Sequence, residues 1–370
     1  MKWFSLASLF VFLSALSNAA TFVYVSESKD KKIAVFSLDE KNGDLTRVGE
    51  IEMNGAPGCL ALSPDRKKIY ASVRSVPEYA TLEIDPKTGL LKSLAVAPAA
   101  GSAAYIYPDK TGKWLLAASY GEGNISVSKI VDGTVTGEPI QIIETGKKAH
   151  CIQTDPANKF VFTPHAGELN KVEQHKFDAT TGKLESNEPS HLEGAEGAGP
   201  RHMQFHPNQK WAYLVNEQDK SVTHCDYDSA TGLLTKRKTL STHPEGWDQK
   251  GSCADIEISG DGKFVYASNR GHNSIAGFSI DQETGKLTAL GQTPTADTPR
   301  SFNLIEDGET IAIRAGQARH SKNAETFMVA AGQKGSELVV YRRDVKTGAL
   351  TKLKTYPCGQ SPAWVMGVKM

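Results

Sequence analysis

Asp228-Ser-Ala-Thr-Gly-Leu-Leu234 sets an Asp, a short polar run, a Gly and a Leu between two strand-like stretches, and it is not alone in the chain. The signature returns as Asp39–Gly43–Leu45, Asp85–Gly89–Leu91, Asp178–Gly182–Leu184, Asp281–Gly285–Leu287 and Asp344–Gly348–Leu350, with a degenerate copy at Asp132–Gly133. Glycine supplies the positive φ of a tight turn, so each copy marks a hairpin. The glycines at 43, 89, 133, 182, 232, 285 and 348 lie 46, 44, 49, 50, 53 and 63 residues apart. A period of roughly 40–50 residues built from short strands is the signature of a β-propeller. Seven copies predict seven blades and an all-β fold.

A second marker recurs in step: an apolar strand, a turn such as Ser63-Pro64-Asp65, and another strand. The turn returns at Tyr107-Pro108-Asp109, Asp155-Pro156, His206-Pro207-Asn208, Ser259-Gly260-Asp261 and Glu306-Asp307-Gly308. That gives six complete copies. The seventh is split between the ends of the chain, with a first strand at 363–368 and a second at 22–26. Pairing the N- and C-terminal strands in one blade closes the ring and leaves no exposed sheet edge. A β-sandwich with fortuitous turn spacing would not split its odd unit in this way.

The 370 residues carry no linker or low-complexity break, so residues 20–370 are read as one domain. Lys plus Arg and Asp plus Glu are 42 each, which leaves no basic field for nucleic acid. Residues 1–19 read as a cleaved signal peptide. Met1-Lys2 supplies a charge, the run 4–16 is mostly apolar, and Ser17-Asn18-Ala19 has the small-x-small form of a cleavage site. The apolar run is short of the ~20 residues that span a bilayer. A periplasmic or secreted monomer, not held to the membrane after cleavage, is therefore expected. The five cysteines (Cys59, Cys151, Cys225, Cys253, Cys358) are odd in number and lack metal spacing, so buried thiols are the default reading. No zinc or calcium motif, Gly-rich phosphate loop or nucleophile elbow occurs, and neither metal nor cofactor is expected. Asn124-Ile125-Ser126 is a glycosylation triplet that matters only in a eukaryotic secretory host.

Propeller blades lay their innermost strands around a central channel. Equivalent positions at the entry of each inner strand therefore converge on one mouth. Aligning those entries gives a slot occupied by Gly58, Ala103, His150, Arg201, Ala254, Arg300 and Ala363, with Pro57, Pro200, Pro299 and Pro362 just ahead of it in four blades. The far end of each second strand returns to the same mouth and gives Arg74, Tyr120, Glu217 and Arg270. Small residues make room while His150, Glu217 and four arginines point into it. One such Arg is readily a solvated rim charge; a set of four is not expected in a neutral protein. Asp255 follows the slot by one residue and can orient an Arg. Paired guanidinium donors suit carboxylate, phosphate or a developing oxyanion. Histidine exchanges a proton near neutral pH, and a carboxylate ringed by Arg stays ionised.

At these residues the chain resembles a known family. The stretch Glu196-Gly-Ala-Gly-Pro-Arg-His-Met-Gln-Phe-His-Pro-Asn208, followed by Tyr213-Leu-Val-Asn-Glu217, is similar to the central motif of the 6-phosphogluconolactonase family of seven-bladed propellers, which also includes carboxy-cis,cis-muconate cyclases. Tyr266-Ala-Ser-Asn-Arg270, Pro299-Arg300 and Gly359-Gln-Ser-Pro-Ala-Trp-Val365 are further matches. The resemblance implies a metal-independent lactonase with His150, Arg201, Glu217 and Arg300 as its catalytic group. Arg74, Tyr120, Arg270, Asp255 and His202 would then bind the substrate, a sugar δ-lactone. Glucono-1,5-lactone is the expected substrate outside the cytoplasm, and 6-phosphogluconolactone the expected one inside. A muconate-cyclase reaction and a non-catalytic binding propeller remain open as alternatives. The sixth interval is long, because 309–317 and 325–333 are near-duplicates; the second copy is read as the blade's second strand and 306–325 as an insertion, either loop or hairpin.

Overall fold

The computed structural model describes residues 20–305 and 326–370. They form seven four-stranded antiparallel sheets arranged as a β-propeller. The leader 1–19, the turn at 306–308, the copy at 309–317 and the insertion 306–325 lie outside the described residues. The second strand of that blade is Thr326–Gly332, within the copy favoured from the sequence. Among the described residues the one helical element is a short 3-10 turn, Gly167–Leu169, and no helix is long and apolar enough to cross a membrane.

One sheet joins the two ends of the chain. Its inner strand is Pro362–Lys369, followed outward by Thr21–Glu27, Lys32–Asp39 and Asp44–Glu52. Thr21 pairs with Lys369 and Val25 with Val365, and Met370 N donates to Ala20 O at 2.9 Å. The predicted closure is therefore present as a regular antiparallel ladder.

The recurring Asp–Gly signature joins the third and outer strands of six blades. In each, the glycine N–H donates back to the aspartate carbonyl, as in Gly43 to Asp39 and Gly232 to Asp228, both at 2.8 Å. The aspartate side chain accepts further turn N–H groups, such as Ala230 N at 2.9 Å. The degenerate copy differs: Asp132 and Gly133 both have positive φ, 49° and 73°, a two-residue hairpin. Each turn is also a contact between blades. Gly89 faces Phe22, Gly182 faces Trp114, Gly232 faces Phe160, Gly285 faces Trp211 and Gly348 faces Phe264, each aromatic belonging to the preceding blade. Buried tyrosines reinforce the seam, with Tyr213 Oη donating to Gly285 O and Tyr266 Oη to Gly348 O, both at 2.7 Å.

The core is divided in the same way. Seven apolar clusters each combine residues of two neighbouring blades, such as Phe22, Tyr24, Ile33 and Val35 with Leu60, Ile69, Ala71 and Leu82. The five thiols are free, and four of them are buried in these seams or beside them. Asn124 of the glycosylation triplet is itself buried at the start of a strand.

Candidate active site

A single irregularity, repeated around the ring, builds the mouth. Inner strands begin in register and then slip before pairing resumes. Pro200 pairs with Asn216 but His202 with Val215, so Arg201 is the extra residue of a bulge. Arg300 stands between Pro299 and Ser301, Ala363 between Pro362 and Trp364, and Ala254 with Asp255 between Cys253 and Ile256 in the same way. In the blade Ala103–Glu144 the bulged residue is Ala104, one place later than the slot read from the sequence. His150 lies in a longer gap: Ala149 bridges to His165, and pairing resumes only at Gln153 with Phe162. Pro164 opposite has no N–H to give, and His150 N donates to its carbonyl at 3.0 Å. A bulge re-aims the side chain it carries. Gly58, Ala104, His150, Arg201, Arg300 and Ala363 consequently line one narrow cavity with Arg74 and His202.

The second strands deliver the rest. Arg74, Tyr120 and Glu217 immediately follow the strands Lys68–Val73, Trp114–Ser119 and Trp211–Asn216, and Arg270 ends Phe264–Arg270. Arg270 Nη2 donates to Glu217 Oε1 at 2.5 Å and to Cys253 O at 2.6 Å. Glu217 Oε2 lies 3.9 Å from Arg201 Nε. Arg74 Nε reaches Ser102 Oγ at 3.4 Å, and the Tyr120 ring stands edge-on to His150 at 5.4 Å. Arg300 makes no hydrogen bond or ion pair to a described residue, and the buried Nε donors of Arg201 and Arg270 have no hydrogen-bond partner among them. Buried unmet donors call for a ligand or water. Of the predicted site residues, Arg74, His150, Arg201, His202 and Arg300 line this cavity. Tyr120 stands against it through His150, and Glu217 with Arg270 through Arg201. Two of the set differ from their predicted role. Asp255 does not line the cavity but stands behind His202, accepting from His202 Nδ1 at 2.8 Å. His202 is 3% exposed and bonds protein atoms on both ring nitrogens, to Asp255 and to Arg201 and His150.

Electrostatics follow from burial and crowding. Burial pushes the His150 imidazole well below its usual range, and Arg201, His202 and Arg300 add to the effect. His202 falls to about 4, again through burial first and Arg201 next. Burial raises the Glu217 carboxyl, but Arg201, Arg270 and Arg300 outweigh it and hold it below the ordinary carboxylate range. Burial and neighbouring guanidiniums bring Arg201 down to about 9 and Arg300 to about 10, so both remain charged at neutral pH. The mouth therefore offers neutral imidazoles, one ionised carboxylate and several guanidinium groups with unmet donors. Among the described residues no group of three His, Cys, Asp or Glu side chains is placed to hold a metal ion.

The floor beneath this group was not read from the sequence. Tyr105 and Trp364 pack edge to face at 5.4 Å, and both lie against the His202 ring, at 5.2 and 6.0 Å. A signal existed for Trp364, which follows the slot residue Ala363 by one place as His202 follows Arg201 and Asp255 follows Ala254; Tyr105 stands two places past the slot residue Ala103 and carried none.

Comparison with known proteins agrees with this architecture. The family model for the seven-bladed β-propeller lactonases matches residues 19–366. A 6-phosphogluconolactonase of Pectobacterium carotovorum is 34% identical over 343 residues, covering 93% of this chain and 97% of that protein. One from Klebsiella pneumoniae is 31% identical over 350 residues, covering 93% and 98%. Among solved structures, a periplasmic gluconolactonase of Pseudomonas aeruginosa superposes with a TM-score of 0.82 at 22% identity, covering 95% of this chain and 99% of that one. With the repeats, the closed ring and this match over nearly the whole length, the chain belongs to the seven-bladed β-propeller lactonase family.

Proposed function

We propose that the protein opens a sugar δ-lactone, glucono-1,5-lactone or its 6-phosphate, to the aldonic acid. The observation that carries this reading is the juxtaposition of His150, whose Nε2 takes no hydrogen bond from a described residue, with guanidinium donors that are equally unmet. His150 Nε2 takes a proton from water as the water oxygen attacks the ring carbonyl. Arg300 and the Arg201 Nε–H, which makes no hydrogen bond to a described residue, receive the oxyanion. The C1–O5 bond then breaks, and the ring oxygen recovers the proton from His150. The cations that depress His150 are those the oxyanion neutralises, so its proton affinity rises as the transition state forms. Glu217, clamped by Arg270 and held ionised, keeps the guanidinium group in place and orients the water.

We assign residues 1–19 as a cleaved export signal and the site of action as outside the cytoplasm, in keeping with the sequence of the leader. The test assays the form recovered outside the cytoplasm, whose N-terminus should lie at Ala20. His150→Ala and Glu217→Gln should each lower kcat/KM on glucono-1,5-lactone by ~100-fold or more, after correction for spontaneous hydrolysis. Folded variants that lose less than a few-fold would sink the catalytic assignment, and turnover of carboxymuconolactone alone would favour the cyclase reading.

A further inference from the structure

Four side chains on three blades are bonded in series beneath the mouth. Arg201 Nη1 donates to the Ala254 carbonyl and lies 3.2 Å from His202 Nε2. His202 Nε2 also lies 3.2 Å from His150 Nδ1, and His202 Nδ1 lies 2.8 Å from Asp255 Oδ1. Guanidinium nitrogens only donate. His202 Nε2 must therefore be the unprotonated, accepting nitrogen, and the proton of the neutral ring sits on Nδ1, where Asp255 accepts it. The assignment propagates. Two bare nitrogens facing each other at 3.2 Å would repel, so His150 carries its proton on Nδ1 and shares the single lone pair of His202 Nε2 with the Arg201 N–H in a three-centre arrangement. Its Nε2 is left with a free lone pair, and that atom has no other partner among the described residues.

We propose that Asp255 and His202 are positioning residues that lock His150 into the Nδ1–H tautomer, the only neutral form whose Nε2 can take a proton from water at the mouth. This rests on the reading of His150 as the base. Further features of the structure support it. Bulges place Arg201 and His202, consecutive residues, on the same side of the inner strand, where regular alternation would part them. A second bulge does the same for Ala254 and Asp255, so that one supplies a carbonyl to Arg201 and the other a carboxylate to His202. Asp255 is itself pinned, accepting from Ile256 N at 3.0 Å and Phe302 N at 3.3 Å, and is 6% exposed. The rings of Tyr105 and Trp364 pack against His202 at 5.2 and 6.0 Å and restrict the room in which it can turn. Burial keeps His202 neutral, which preserves the acceptor on which the series depends.

The test separates tautomer from activity. In protein labelled with 15N-histidine, long-range proton–nitrogen spectra at neutral pH should show His150 protonated on Nδ1 and bare on Nε2. His202→Phe removes the acceptor and should release His150 into a tautomer mixture with a ~100-fold or larger loss of kcat and little change in KM. His202→Gln presents an amide oxygen to Arg201 and His150 and an amide N–H to Asp255, and should recover much of both signals. Asp255→Asn, which must set an amide N–H against one of the N–H groups that Asp255 now receives, should lower kcat in the same direction. His150 protonated on Nε2 in the wild type, or His202→Phe leaving its tautomer and kcat unchanged, overturns the proposal. If the tautomer shifts as described but His150→Ala is fully active, the relay stands and the reading of His150 as the base is what fails.

Discussion

At the scale of single residues, charge alone misleads about how the mouth reacts to pH. Burial, with Arg201, His202 and Arg300 beside it, holds the proton affinity of His150 well below that of a free imidazole. A neutral imidazole is the working form of a base, and a depressed pKa keeps it neutral to lower pH. Glu217, held low by its guanidinium neighbours, likewise stays ionised. The acid limb of kcat/KM should therefore fall well below pH 6.5, and it should vanish from the residual activity of His150→Ala; a limb at or above pH 6.5 that follows His150 would contradict the geometry. Which residues gather here was largely legible, because Arg201 and Arg300 directly follow slot prolines, Glu217 and Arg270 lie four residues past Tyr213 and Tyr266, and His150 fills the same slot of its repeat. Their depth was not. Period-two alternation sends neighbours such as Arg201 and His202 to opposite faces, and only the bulge, which costs one residue of register and leaves no mark in composition, brings both inward. Asp255 consequently read as a partner of arginine or substrate, whereas its carboxylate is taken by His202.

At the scale of the element, the Asp–Gly turns do two things at once. Gly232 has φ of 70°, and a Cβ there would lie 2.1 Å from Cδ1 of Phe160 in the preceding blade. Gly246 has a similar φ of 77° with nothing within 4 Å of its would-be Cβ. The pair separates backbone strain from the contact between blades. Gly246→Ala should cost about 1 kcal/mol for its left-handed backbone. Gly232→Ala should cost that plus about 1–3 kcal/mol for overpacking against Phe160, read as the difference between urea midpoints. Equal losses at the two positions would mean that the turn contributes nothing to the seam. The turns were legible because glycine and aspartate announce them locally. Their aromatic partners were not, since Phe160 and Gly232 belong to different repeats and only the ring brings them together.

At the scale of the whole molecule, the seam between first and last strand decides whether seven blades form one cooperative unit. The strand Pro362–Lys369 supplies Val365, Met366 and Val368 to the two apolar clusters flanking the joint, and Trp364 to the floor of the mouth. Without it, Thr21–Glu27 becomes an open edge with unpaired N–H and C=O groups, the kind of edge that invites aggregation. The split repeat made this closure legible, because a unit lacking its first strand at one end and its second at the other has one economical solution. What the ring requires is the pairing, not the position of the chain ends. Ala20 and Met370 are hydrogen-bonded neighbours on adjacent antiparallel strands, so a short hairpin linker can join them. New ends can open in the exposed turn between Thr180 and Thr181, on the outer rim and remote from the mouth. A permutant of residues 20–370 joined and cut in this way should fold, unfold in a single transition and keep lactonase activity within a few-fold of the parent. The chain 20–361, lacking the closing strand, should aggregate or lose its cooperative transition, and its activity with it. A truncated chain that unfolds at the parent's midpoint, or a permutant that is soluble but loses the cooperative transition, would show that the seam is not what holds the ring.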